Sequence, residues 1–102
     1  MSVGIFKLIN MDESIIIDLR GADDHEIFGI RILLHKNGYC WISEESMIRG
    51  PLVDTYSNSI DINTISKRVT RANLDWYKHN SPYDTWPVRS FKDAKYLFNN
   101  KK

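Results

Sequence analysis

The sequence predicts an α+β domain: an antiparallel sheet of about four to five strands, made from N-terminal hairpins and packed against one or two C-terminal helices. Two observations carry that expectation. Short β-branched and apolar runs, with an Asn-Gly pair between two of them, fill the first half of the chain. Apolar residues at three- and four-residue spacing come after residue 61. Strands followed by helices is the order of an α+β fold.

The strands come first. Val3–Ile9 and Ile15–Arg20 read as a hairpin around Asn10–Glu13, since Ile15, Ile16 and Ile17 are β-branched and suit a pleated surface. Gly21–Asp24 is a polar break. Ile27–Glu44 reads as a second hairpin, because Asn37-Gly38 favours a type I′ turn. A two-residue loop would set Arg31 opposite Glu44, Leu33 opposite Ile42 and His35 opposite Cys40. Leu52–Tyr56 reads as a short strand after the Gly50-Pro51 break.

Helices are expected in the second half. Ile62, Ile65, Val69, Ala72 and Trp76 form the stripe of an amphipathic helix capped by Asp61 or Asn63. A break near Asn73 followed by a strand is the competing expectation, because Thr70 and Asn73 are weak helix formers. Thr85–Val88 reads as a strand that Pro87 confines to a sheet edge. Ser90-x-x-Asp93 resembles a capping box and opens a last helix with Phe91, Ala94, Leu97 and Phe98 on its buried side.

The length of 102 residues fits one domain, residues 1–102. A composition of 42% hydrophobic and 26% charged residues is that of an ordinary globular protein. The single cysteine, Cys40, forms no internal disulfide and gives no support to an oxidising compartment. Lys7 interrupts the apolar run Val3–Ile9 and acids follow it, so neither a signal peptide nor a membrane span is expected. These features point to the cytoplasm, of a bacterium or of a phage-infected host.

Charge is uneven along the chain. Residues 1–61 hold five Lys or Arg against ten acids, a net of −5, and residues 62–102 hold nine against three, a net of +6. Such asymmetry points either to a charged partner or to mutual attraction of the halves in one fold.

Chemistry-bearing patterns are sparse. His35 beside Cys40 in the hairpin register would lower the thiol pKa, but a hairpin interior offers no oxyanion donors. His25, His35 and His79 lie far apart and no metal-ligand spacing occurs, so no metal and no cofactor is expected. No catalytic motif is present, and no catalytic residue is assigned.

Elimination leaves binding. The leading expectation is a small inhibitor of the immunity-protein, antitoxin or phage-inhibitor type, forming a one-to-one complex with a cognate toxin or nuclease through an acidic patch of Asp23, Asp24, Glu26, Glu44 and Glu45. The alternative is a nucleic-acid-binding module using Lys67, Arg68, Arg71, Trp76, Tyr77, Lys78 and Arg89, where cations meet phosphates and rings stack on bases. A second alternative is a nuclease-like enzyme working through His35 or His79.

Overall fold

A computed structural model describes residues 14–80, 86–94 and 96. Five strands and two helices follow one another as β1 (Ile15–Asp18), α1 (Asp24–Lys36), β2 (Cys40–Trp41), β3 (Ser59–Asn63), β4 (Arg68–Ala72), α2 (Leu74–Lys78) and β5 (Val88–Ser90), ending in a 3₁₀ turn at Phe91–Asp93. The strands form one sheet in the order β2-β4-β3-β1-β5. β3 is antiparallel to both β1 and β4, whereas β2 runs parallel to β4 and β5 parallel to β1. The α+β class and the strand number agree with the sequence. The sheet is mixed and not purely antiparallel, and the longest helix among the described residues lies between β1 and β2.

The largest correction is α1. Residues 27–36, expected as a hairpin arm, are helical because both ends of the segment are capped. Asp23 Oδ1 accepts from the Glu26 amide at 2.8 Å and Glu26 Oε1 accepts from the Asp23 amide at 3.0 Å, a reciprocal capping box. At the other end Gly38 takes φ +85° and its amide donates to His35 O, while the Tyr39 amide donates to Leu34 O. Those two bonds form a Schellman motif. Asn37-Gly38 therefore stops a helix, and Asn37 itself keeps φ at −96°, which a type I′ turn forbids. His35 consequently ends a helix and is not the cross-strand partner of Cys40.

The second correction runs the other way. Residues 59–72, expected as mostly helix, are the β3–β4 hairpin, with Ile62 opposite Val69 and Ile60 opposite Arg71. The Asn63 side chain accepts from the amides of Ile65 and Ser66 and shapes the turn. Two members of the supposed helical stripe, Ile65 and Trp76, are exposed. The chain does break at Asn73, but a short helix and not a strand follows it. Leu52–Tyr56 forms no strand. The expected final helix is described only as far as the 3₁₀ turn, where the Ser90 hydroxyl accepts from Lys92 N. The expected strand Val3–Ile9 lies outside the described residues. The strand expected at Thr85–Val88 appears instead as β5, Val88–Ser90, which Pro87 precedes and which ends the sheet among the described residues.

Pairing and alternation assign side chains to faces. Ile15, Ile17, Ile60, Ile62, Val69, Arg71 and Trp41 share the face covered by α1. There Ile17, Ile60, Ile62, Val69 and Trp41 pack with Ile30 and Leu34 of α1 and with Tyr39, Met47 and Leu52 from the loops. Each fully buried side chain of this size stabilises by roughly 1.5–3 kcal/mol. The opposite face carries Ile16, Ser59, Asp61 and Ala72, and Tyr77 of α2 reaches it by donating its hydroxyl proton to Asp61 Oδ2 at 2.8 Å.

Gly38→Ala tests the helix-stop reading. An added Cβ would have room, with Lys67 Cδ the nearest atom at 3.8 Å, so the cost comes from the positive φ alone. Urea unfolding is expected to show a loss of about 1 kcal/mol with unchanged far-ultraviolet dichroism.

Candidate functional site

The five acidic residues fall into two groups. Asp23, Asp24 and Glu26 make the exposed first turn of α1, after β1. Glu44 and Glu45 follow β2, which stands three positions from β1 in the sheet, about 14 Å at ordinary strand spacing. Glu44 adopts φ +76° and its carboxylate lies 3.5 Å from Arg68 Nη2. Glu45 accepts from the Trp41 amide through its backbone carbonyl. The expected single acidic patch is thus a compact helix-end group and a separate pair at the sheet edge.

The basic residues are largely engaged within the fold. Lys67 Nζ donates to Asn37 O at 3.2 Å and lies 5.3 Å from the centre of the Tyr39 ring. Arg68 meets Glu44. Arg71 Nε donates to Pro51 O at 2.8 Å while its guanidinium sits 4.2 Å above the Trp41 ring. Arg89 is exposed on β5, away from this cluster. Of the seven residues, Arg71, Trp76 and Tyr77 line one cleft beside α2.

Sequence reasoning missed the residues that organise the loop between β2 and β3. Arg31 Nη1 donates to Met47 O at 2.9 Å and Nη2 to Gly50 O at 2.6 Å. Trp41 Nε1 donates to Arg49 O at 3.0 Å. With Arg71 on Pro51 O, three side chains hold four carbonyls of residues 47–51. Gly50 permits this approach: its φ is +72°, and a Cβ there would stand 3.0 Å from Arg71 Nη2. Burial, and then the neighbouring Arg71 charge, lower the Arg31 pKa.

On the outside of this clamp an apolar surface emerges. α1 carries six apolar side chains, yet only Ile30 and Leu34 are buried. Phe28 is 58% exposed and Ile48, at the crest of the clamped loop, is 51% exposed. With Ile27, Asp24 and Arg31 they line one recess of about 320 Å³. The signal was present as an apolar-rich run, Ile27–Leu34, interrupted only by Gly29 and Arg31 and holding more apolar side chains than one buried helix stripe needs.

Among the described residues no group of three or more His, Cys, Asp or Glu could hold a metal ion. No helix among them is long and apolar enough to cross a membrane. Comparison with protein-family models, with curated proteins and with solved structures finds no match to the chain.

Two expectations follow. Arg31→Ala removes two charge-assisted bonds to loop carbonyls and is expected to destabilise the fold by about 2 kcal/mol in urea unfolding, with proteolysis within residues 42–58 the first visible change. The second concerns Asp18, whose carboxyl receives Arg20 Nη2 at 2.9 Å and Nε at 3.0 Å. The side-chain bond to Arg20, foremost, holds its pKa below the usual carboxylate range. A carboxylate depressed by folding contributes stability above its unfolded pKa and loses it as pH falls through the folded value. Asp18→Asn is therefore expected to lower stability at neutral pH and to flatten its decline below about pH 4, as read from thermal melts across that range.

Proposed function

We propose that this chain is a small protein-binding inhibitor, of the immunity-protein, antitoxin or phage-inhibitor type, that engages a basic face of one cognate protein through the outer surface of α1. The observation that carries the reading is the pairing of exposed Phe28 with exposed Ile48 beside an acidic helix start. Adjacent large apolar side chains on a surface mark contact sites. An aromatic centre with charges at its rim has the anatomy of a hot spot. Asp24 sits at that rim, and Asp23 and Glu26 in the same turn add negative potential toward a basic partner. Both sides of the surface are rigid before any partner arrives: the capping box and Schellman motif fix α1, and Arg31 fixes the loop bearing Ile48. Such preorganisation reduces the entropy lost on binding.

The test uses the whole chain as bait in its native cells, beside Phe28→Asp, with crosslinked partners quantified by mass spectrometry. The expected result is one basic protein enriched by the parent chain and lost with the variant. Purified together, that protein and the chain should form a one-to-one complex that Phe28→Asp weakens by roughly 30-fold or more. Equal recovery by both baits, recovery of no protein, or self-association of the chain through this surface overturns the proposal.

A further inference from the structure

We propose that the cleft beside α2 is a nucleobase-binding site in which Trp76 is the stacking surface. The cleft is an open, shallow groove of about 580 Å³ lined by Arg71, Asn73, Asp75, Trp76, His79 and Asn80. Trp76 is 50% exposed, although its segment contains hydrophobic anchors enough for the core, such as the buried Leu74. An indole of which half meets solvent inside a concave surface offers a π-face to any flat ring.

The groups around it suit a base. The Asp75 carboxylate and the Asn80 amide oxygen are acceptors for an exocyclic amine or a ring N–H, and His79 supplies a donor. Arg20 and Lys78 stand close by, each within electrostatic range of a carboxylate, Arg20 of Asp75 and Lys78 of Asp18.

The platform is also stiff. Asn73 caps α2 through the amides of Asp75 and Trp76 and donates Nδ2 to Tyr56 O. The Leu74 amide donates to Asn58 Oδ1 at 2.9 Å. Tyr77 meets the Trp76 ring edge-on at 5.3 Å and is tied to Asp61. A stacking surface held this way loses little freedom when a ring settles on it.

The site is independent of the α1 surface, and its test separates the two. The full chain is titrated with adenosine and uridine monophosphates, and with ten-residue single strands of adenylate and of thymidylate, by tryptophan fluorescence at two salt concentrations. Saturable quenching is expected. Trp76→Ala is expected to weaken binding roughly 5- to 150-fold, His79→Ala to weaken it less, and Phe28→Asp to leave it unchanged. Tighter binding of the strands with steep salt dependence identifies an unpaired nucleotide in a strand as the ligand. Equal binding of the monophosphates identifies the free nucleotide. No quenching by any of the four probes, or quenching that survives both Trp76→Ala and His79→Ala, overturns the proposal.

Discussion

Arg31 and Arg71, with Trp41 between their targets, hold the fold at its most vulnerable point. The connection from β2 to β3 runs from residue 42 to residue 58 without regular structure, longer than compact domains usually tolerate. It must nevertheless deliver Met47 and Leu52 to the core, where both are buried. Backbone carbonyls in such a segment lack ladder partners, and each left unsatisfied on burial costs about 1–3 kcal/mol. Three side chains on α1, β2 and β4 donate to four of its carbonyls, those of Met47 and Arg49 in part-buried bonds and those of Gly50 and Pro51 in exposed ones. The clamp thereby ties the helix, both neighbouring strands and the loop into one unit.

The same device explains the use of charge. The acidic first half and basic second half attract one another inside a single fold: Arg68 meets Glu44, Lys67 meets the end of α1, and Lys78 stands in the field of Asp18. Arg71 likewise serves a carbonyl of the first half. Among the described residues, part of the asymmetry visible along the chain is thus met within the molecule, and the acidic turn opening α1 and the mixed rim around Trp76 remain at the surface. Both surfaces join an exposed ring to charge, and each rests on an element whose ends are capped.

Much of the second half of the sheet was misread from local pattern, and the reason is specific. Ile62, Val69 and Ala72 fit helical spacing, yet Ile62 and Val69 are partners across a hairpin whose turn is shaped by the Asn63 side chain. Periodicity over so few residues does not separate a helix stripe from two strand faces. In α1 the error was the reverse. An apolar-rich run beside an Asn-Gly pair resembles a hairpin strand, and here it is a helix that leaves Phe28 exposed. The Asp23-x-x-Glu26 pair was the signal that could have decided it, but it was read as an acidic patch instead of a cap.

The sequence by itself determined the α+β class and the strand at Ile15, because β-branching and the alternation of apolar runs act over a few residues. The same local physics places Asp24 and Trp76 among the candidate binding residues. Only the tertiary structure decided the strand order, the parallel pairing of β2 with β4 and of β5 with β1, the carbonyl clamp, and the recess that Phe28 and Ile48 line together. Those depend on contacts between residues outside the same local segment, from 8 to more than 40 apart in the chain, and neither propensity nor spacing encodes which of several apolar runs will find which partner.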